Sequence, residues 1–141
     1  MFLGQFEYRI DEKGRMPMPP RFRPYLKDGV IVAPSPEKCL TLYTIADWKK
    51  MEENLSASNL PASKMRKIER ALFATAFHTA MDGQARISLP AKLRTYANLA
   101  TDIVVAGTNN RIELWDKAAW EAEESADLAE AFQIIESIEK H

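Results

Sequence analysis

The chain has 141 residues, 46% of them hydrophobic, and a formal net charge of −1. These values fit one domain, or two halves that share a core, and they exclude a mainly disordered chain. The single cysteine, Cys39, cannot form an internal disulfide, and His78 and His141 are too few imidazoles for a zinc site. We therefore expect neither a metal nor another cofactor.

The N-terminal segment MFLGQFEYRI meets charged residues too early for the apolar region of a signal peptide. The longest apolar runs, such as VIVAP, are only a few residues long and cannot cross a bilayer. We expect a cytoplasmic protein with no membrane partner.

Charge is distributed unevenly along the chain. Residues 1–27 carry six Lys/Arg against three Asp/Glu, residues 62–70 carry four against one, and residues 116–141 carry two against eight. This asymmetry permits a local surface that binds a polyanion in a chain that is not basic overall, although such runs are more often only solvated surface.

The first predicted element is a β-hairpin over residues 5–18. Phe6, Tyr8 and Ile10 alternate along its first strand, DEKGR forms the turn, and residues 15–18 form the second strand. Each strand thus offers one apolar face to a core.

A short helix, RFRPYL, is predicted next. Pro19 and Pro20 suit its first turn, because proline lacks the N–H that a first turn leaves unpaired. VIVAP and CLTLY then predict a second strand pair. Thr44, three residues before Asp47, predicts a capped helix that carries Trp48.

Two further helices are predicted, one in the middle and one at the end of the chain. Pro61 begins the stretch ASKMRKIERALFATAF, which we interpret as an amphipathic helix with a solvated basic face. The tail helix carries an apolar stripe that needs cover from its own core or from a neighbouring subunit. The stripe consists of Leu128, Phe132, Ile135 and Ile138.

The elements of the first half recur in the second half. Asp82 and Arg86 each lie 71 residues after their counterparts, Asp11 and Arg15, and DGQAR is again expected in a hairpin, at about 77–89. We expect the two hairpins to interleave around one core with an internal pseudo-twofold. The predicted organisation is a first unit at residues 1–55, a linker helix at 56–76, a second unit at 77–123 and a helical tail at 124–141.

Each copy of the repeat places Asp and Arg four positions apart at a turn. The carboxylate can accept the N–H groups of the turn, and the guanidinium can bind phosphates or the O6 and N7 atoms of guanine. One such pair would be explained by an ion pair that stiffens a turn. Two copies beside further basic residues favour a nucleic-acid-binding surface. These neighbours are Arg9, Lys13, Arg21 and Arg23 in the first copy and Lys92 and Arg94 in the second.

One position differs between the two turns. Gly14 precedes Arg15, whereas Ala85 precedes Arg86. If the position needs a positive φ, alanine is strained there by about 1 kcal/mol, or the second turn takes another geometry in which Gly83 compensates.

The segments MFLG, DEKGR with MPMPPRFR, CLTLY, DGQARISLPAKLRTYA, IVVAG and RIELWDKAAW resemble the MraZ family of bacterial proteins over nearly the whole chain. The resemblance implies an α+β fold in which a duplicated β-hairpin/helix unit forms an AbrB-like swapped-hairpin, double-psi-like barrel with packing helices. It also implies ring-shaped homo-oligomers. The implied function is a nucleoid-associated transcriptional repressor of the division and cell-wall gene cluster that binds repeated promoter elements in double-stranded DNA.

In the MraZ family the motif arginines lie on the DNA-binding face, and they correspond here to Arg15 and Arg86. The full set of predicted DNA-binding residues is Arg15, Arg86, Lys13, Gln84 and Arg9, and the residues predicted to brace the turns are Asp11, Gly14, Asp82 and Gly83.

Two other classes of function agree with parts of this pattern. A MazE-like antitoxin shares the swapped-hairpin unit and binds DNA, but it typically supplies one unit per chain and a disordered tail that wraps a toxin. A ring-forming structural protein that binds no DNA is the other alternative. Catalysis on a small-molecule substrate is not expected, because Cys39 lies in a predicted strand and His78 is a lone imidazole on a predicted helix.

Overall fold

Pairs of consecutive strands, each followed by a helical segment, make up the chain in the computed structural model, which describes residues 1–140. The predicted α+β class is confirmed. The strands are β1 (Phe2–Arg9), β2 (Arg15–Pro17), β3 (Val30–Pro34), β4 (Leu40–Thr44), β5 (Phe77–Thr79), β6 (Arg86–Ser88), β7 (Asp102–Asn109) and β8 (Ile112–Asp116). The helices are α1 (Ile45–Ser56), α2 (Ala62–Ile68), α3 (Ala91–Tyr96) and α4 (Lys117–Glu139), with a 3-10 turn at Arg23–Leu26 and a π-helical turn at Glu69–Phe73.

The two halves of the chain exchange strands. Six strands form an antiparallel sheet in the order β1-β7-β8-β4-β3-β5, and the remaining two form a separate ribbon, β2-β6. The first strand of each half therefore pairs with the other half, β1 with β7 and β5 with β3. The ribbon also joins one strand from each half.

The prediction that residues 5–18 and 77–89 each form a hairpin is wrong. The strands that flank each turn lie in different sheets, because β1 pairs with β7 over its whole length while β2 pairs with β6. Alternation of apolar residues specifies which face of a strand is buried, but it does not specify the partner strand. The barrel is not confirmed either, because strand pairing within residues 1–140 leaves an open sheet and a separate ribbon.

Strand pairing follows an internal pseudo-twofold. In the six-stranded sheet, the repeat-equivalent residues Thr41 and Glu113 lie opposite each other at the junction of β4 and β8. In the ribbon, the equivalent residues Met16 and Ile87 lie opposite each other. Both pairs lie at the centre of their ladders, so the same local symmetry relates the two halves in both sheets.

The main core lies between the sheet and the ribbon and takes residues from both halves. Met16 and Ile87 from the ribbon are fully buried in it, together with Phe22 and Leu93 from the segments that follow. A smaller cluster around Trp48 joins α1 to the π-helical turn, where the rings of Trp48 and Phe73 meet edge to face. The ribbon is thereby fixed to the body by its inner face.

The structure confirms one predicted helix cap and shifts the start of another helix. The Thr44 hydroxyl accepts the Asp47 N–H at 3.1 Å, which confirms the predicted cap of α1. The first short helix begins later than predicted, at Arg23, and Pro24 lies in its first turn. The two prolines predicted in that turn precede it, and their carbonyls accept the N–H groups of Phe22 and Arg23.

The middle helical stretch ends earlier than its sequence pattern suggested. It stops at Phe73, and His78, expected on a helix, lies in β5. Pairing of β5 with β3 holds this segment extended. No helix within residues 1–140 is long and apolar enough to cross a membrane.

The tail forms α4, but its apolar stripe does not cover a core of the same chain. Leu128, Phe132, Ile135 and Ile138 are 61%, 60%, 48% and 69% exposed. Of the two alternatives for the stripe, packing on its own core is therefore excluded.

Strand exchange predicts how an isolated half behaves. A fragment of residues 1–58 lacks β7, the partner of β1, and β5, the partner of β3, so its strands keep unpaired edges and apolar faces. We expect no cooperatively folded monomer, as measured by denaturant unfolding together with light scattering. A fragment that unfolds cooperatively while remaining monomeric would contradict the shared core.

Candidate nucleic-acid interface

The first Asp-to-Arg turn is held by one carboxylate. Asp11 accepts the backbone N–H groups of Lys13 and Arg15, both at 2.9 Å, and Nε–H of Arg15 at 3.0 Å. The Asp11 N–H donates to the Arg15 carbonyl, and the Gly14 N–H donates to the Asp11 carbonyl. The turn and the Arg15 side chain are thus fixed by the same group.

The second turn repeats these bonds. Asp82 accepts the N–H groups of Gln84 and Arg86 at 2.9 Å and 3.0 Å, and Nε–H of Arg86 at 2.9 Å. The backbone bonds from Asp82 to Arg86 and from Ala85 to Asp82 also recur. The two turns therefore share one hydrogen-bond pattern.

The residue before each arginine takes a left-handed conformation. Gly14 has φ 78° and Ala85 has φ 58°, so the second turn keeps the geometry of the first at the cost of strain in alanine. Gly83 is not among the described residues with positive φ, and a Cβ there would meet nothing within 4 Å. Of the two alternatives for this position, strain in Ala85 is confirmed and a different turn geometry compensated by Gly83 is wrong.

Each turn is also bonded to the other half of the chain. The Gly14 carbonyl accepts the Leu89 N–H at 2.8 Å, and Nε–H of Arg94 donates to the Leu89 carbonyl at 3.1 Å. The equivalent bonds run from the Met18 N–H to the Ala85 carbonyl and from Arg23 to the Met18 carbonyl. These bonds fix the position of each turn relative to the other half.

In the sequence, Arg23 and Arg94 are recognisable only as basic neighbours of the two turns. The structure shows that both hold the chain segment to which the opposite turn is bonded. Their spacing in the sequence could have indicated this shared role. Arg23 follows Arg15 by eight positions, and Arg94 follows Arg86 by the same number.

The ribbon places both motif arginines on one face. Arg15 lies opposite Ser88, and Arg86 lies opposite Pro17. Residues opposite each other in an antiparallel pair share a face, and residues two apart along a strand share it too. Arg15 and Arg86 are therefore on the outer face, about 7 Å apart along the ribbon, while the inner face is buried in the core.

The outer face leaves much of each guanidinium free to bind. The side chains of Arg15 and Arg86 are 33% and 25% exposed, and within residues 1–140 their side-chain hydrogen bonds use Nε alone. The terminal NH2 groups of each fork remain as donors. Such an arrangement can bind a phosphate or the edge of a base.

The other predicted DNA-binding residues lie around these two turns. Lys13 and Gln84 occupy equivalent exposed positions in the first and second turn, so one end of the ribbon carries a cation and the other a neutral amide. Arg9 ends β1 and forms an exposed ion pair with Asp102, with Nε and Oδ1 3.6 Å apart. Arg9 and Asp11 line one shallow depression together with Arg94.

The structure buries Cys39 and exposes His78, the two side chains considered for catalysis. Cys39 is fully buried, and burial raises the pKa of its thiol to about 11, so the reactive thiolate is disfavoured at neutral pH. His78 is exposed on β5. Within residues 1–140, no three His, Cys, Asp or Glu side chains are grouped to hold a metal ion.

A family model described as "MraZ protein, putative antitoxin-like" matches residues 1–71 and again residues 72–137. The chain belongs to the MraZ family. Its two matched segments correspond to the two halves that exchange strands. The family expected from the sequence is confirmed.

Proteins named Transcriptional regulator MraZ are similar to this MraZ-family chain over most or all of its length. The one from Dehalococcoides mccartyi strain BAV1 is 51% identical over 142 residues and covers 100% of both chains. That of strain 195 is 51% identical over 140 residues, with 99% of each chain covered. That of Frankia alni is 40% identical over 122 residues, with 86% of this chain and 85% of the relative covered.

Substitutions at the left-handed position should have opposite effects in the two turns. Ala85→Gly removes strain and is expected to raise the free energy of unfolding by about 0.5 to 1 kcal/mol. Gly14→Ala is expected to lower it by about 1 to 3 kcal/mol, because the new Cβ would lie 2.8 Å from the Leu89 carbonyl oxygen and 2.9 Å from Nε of Arg94. Chemical denaturation measures both, and a stabilising Gly14→Ala would contradict the geometry.

The turn carboxylates should contribute to acid sensitivity. The backbone N–H of Arg15, with lesser help from Lys13, lowers the pKa of Asp11, and Arg86 and Gln84 do the same for Asp82. Because the folded pKa values are lowered, the stabilisation is complete above the ordinary value of about 4 and is lost as the pH falls below it.

We therefore expect Asp11→Asn/Asp82→Asn to lower stability at pH 7 and to flatten the decline between about pH 5 and pH 2. Denaturant unfolding across this range measures the effect. The matched control is Asp28→Asn, an exposed aspartate outside the turns. A double variant with the same pH dependence as the unchanged chain would count against this role.

Proposed function

We propose that this chain is a transcriptional regulator that binds double-stranded DNA with the outer face of the β2–β6 ribbon. The observation that carries the proposal is that Arg15 and Arg86 lie on this one face, each held through Nε by an aspartate. The name of the family relatives, Transcriptional regulator MraZ, supports the same class of function.

The aspartates orient the arginines rather than bind the ligand. A carboxylate that occupies Nε fixes the plane of the guanidinium, so less side-chain entropy is lost when the terminal NH2 groups bind. Asp11 and Asp82 offset part of the positive charge, which makes the site better suited to directional hydrogen bonds than to simple charge attraction. Lys13 adds an unpaired cation at the first turn only, and Gln84 adds an amide at the second.

The spacing of the arginines suits the repeat of DNA. The two lie about 7 Å apart along the ribbon, and stacked base pairs are about 3.4 Å apart. The backbone positions of the two arginines are therefore about two base-pair steps apart, and each guanidinium is held toward the turn at its own end of the ribbon. A two-stranded ribbon fits the major groove, where a fork of donors can read O6 and N7 of guanine.

We further propose that the chain acts as a ring-shaped homo-oligomer on repeated promoter elements, as a repressor of the division and cell-wall gene cluster in the nucleoid. One copy offers only a small contact face, whereas several linked copies on successive repeats multiply weak contacts. In a curved assembly, some copies would contact bases and others only phosphates. A footprint over the region upstream of the protein's own operon tests the choice of site.

Arginine substitutions test the DNA-binding face. If Arg15 reads guanine, Arg15→Ala should weaken operator binding by about 1 to 3 kcal/mol for each engaged copy. It should also reduce the difference in affinity between operator DNA and random DNA. If it contacts only phosphate, binding to both DNAs should fall alike, and the salt slope should drop by roughly 0.9 per lost contact. We expect Arg86→Ala to have a smaller effect in the same direction.

The measurement is binding to operator and random duplexes across a salt series for both single variants and the double variant. Lys49→Ala, which removes an exposed lysine on α1, serves as the control. Each variant is first checked for unchanged assembly. An assembled double variant with undiminished operator affinity would exclude the ribbon as the DNA surface and direct attention to the basic residues 64–70 of α2 and the π-helical turn.

A further inference from the structure

The distal part of α4 lacks a packing partner. Its first turns are held to the body by Gln5, which contacts Glu124 and accepts Nε1–H of Trp120, and by the ring contact between Trp115 and Trp120. From Ser125 to the end of the described chain every residue is exposed. This part extends about 22 Å at 1.5 Å per residue.

A free helix of this length is only marginally stable in water, because most helix stability in proteins comes from packing of an apolar face. The distal part of α4 nevertheless presents a contiguous stripe of large apolar side chains. We call these residues the α4 stripe, and they are Leu128, Phe132, Ile134, Ile135 and Ile138. A partner surface for the stripe must therefore be apolar.

Charge restricts what that partner can be. Residues 117–139 carry seven acidic side chains and one basic side chain. Within α4, repulsion by the carboxylate of Asp127 raises the pKa of Glu123. Pairing of two α4 helices would bring two such charged surfaces together, whereas a basic surface would relieve the repulsion.

The same chain carries a groove with a partly apolar lining beside a basic helix. The groove lies between α1 and the segment of α2 and the π-helical turn, and it has a volume of about 550 Å³. Its lining residues are Leu55, Met65 and Phe73, which are apolar, and Glu52, Ser56 and Glu69, which are polar. Residues 62–73 nevertheless carry four basic side chains against one acidic. The basic residues, Lys64, Arg66, Lys67 and Arg70, are all exposed.

We propose that the α4 stripe of one copy packs into the groove between α1 and α2 of a second copy, with the acidic residues of α4 against the basic residues of α2. The two surfaces are different, so the contact is head-to-tail: every copy donates one α4 and receives another. Such a contact closes into a ring when the rotation between copies permits. It specifies the contact for the homo-oligomer proposed above and assigns the basic face of α2 to protein and not to DNA.

The stripe itself is tested by particle mass. The unchanged chain is expected to give a mass several times the 16.0 kDa of one copy by light scattering, and Phe132→Ser/Ile135→Ser is expected to give 16.0 kDa. The control is Gln133→Ser, which changes an exposed residue on another side of α4 and should leave the mass unchanged. Both stripe residues are exposed in one copy, so cooperative unfolding of the body should persist. A monomeric unchanged chain, or a double variant of unchanged mass, would overturn the proposal.

The groove is tested by charge reversal and rescue. Arg66→Glu/Lys67→Glu should reduce the mass to that of one copy, and Glu130→Lys/Glu136→Lys in the same chain should restore the assembly. A charge-reversed chain that still assembles while the stripe variant does not would show that α4 pairs elsewhere, and it would refute the proposal. Loss of DNA binding without a change in mass would also refute it, because the basic face would then belong to DNA.

These outcomes are separable from the proposed function. Arg15→Ala lies on the ribbon and should leave the mass unchanged while it weakens DNA binding. If Arg15→Ala has no effect on DNA binding but the stripe and charge variants dissociate the oligomer, the DNA-binding proposal fails and the interface stands. If Arg15→Ala weakens DNA binding but the stripe and charge variants keep the mass of the unchanged chain, the interface proposal fails and the DNA-binding proposal stands.

Discussion

The exchange of strands between the two halves is the constraint on which the rest of the structure depends. The strand before each turn is paired with the far half, and the strand after it pairs with its counterpart in a ribbon of only three residues on each side. So short a ribbon would not be stable alone. It persists because Met16 and Ile87, at its centre, are buried in a core that both halves build.

The ribbon brings two copies of one turn into a fixed relation. Each turn has the same carboxylate-centred hydrogen bonds, and each is bonded through its penultimate carbonyl to the opposite half. Symmetry is kept in the backbone but not in every side chain. Ala85 retains the left-handed φ that Gly14 adopts, and Gln84 replaces Lys13. The two ends of the ribbon therefore have one geometry and different charge.

Charge is distributed unevenly over the surfaces of the chain. A net charge of −1 conceals an acidic α4 and a basic segment from α2 to the π-helical turn. The ribbon turns themselves carry no net charge, because residues 11–15 contain two acidic and two basic side chains and residues 82–86 contain one of each. The proposed DNA contacts would therefore depend on the direction of the arginine donors more than on net charge. In the two proposals, assembly and DNA binding depend on separate electrostatic contacts, and both kinds of contact weaken as the salt concentration rises.

Much of the site was already determined by the sequence. The Asp and Arg spacing, the Thr44 cap and the apolar stripe of α4 are local patterns of at most about a dozen residues, and the repeat is visible when the two halves of the sequence are compared. The alternation of Phe6, Tyr8 and Ile10 likewise marks a strand that contributes to the core. Such patterns depend on side-chain period and hydrogen-bonding capacity, which the sequence contains directly.

Only the tertiary structure decided which strands pair and which surfaces stay free. The alternation of apolar residues along β1 specifies which face of the strand is buried. It does not specify whether the partner strand is β2, next along the chain, or β7, about a hundred residues away. The close approach of Arg94 to Gly14, the strained φ of Ala85 and the exposure of the α4 stripe follow from that choice. They depend on contacts between residues distant in sequence, and the free energy of such contacts is set by the assembled core and not by any local segment.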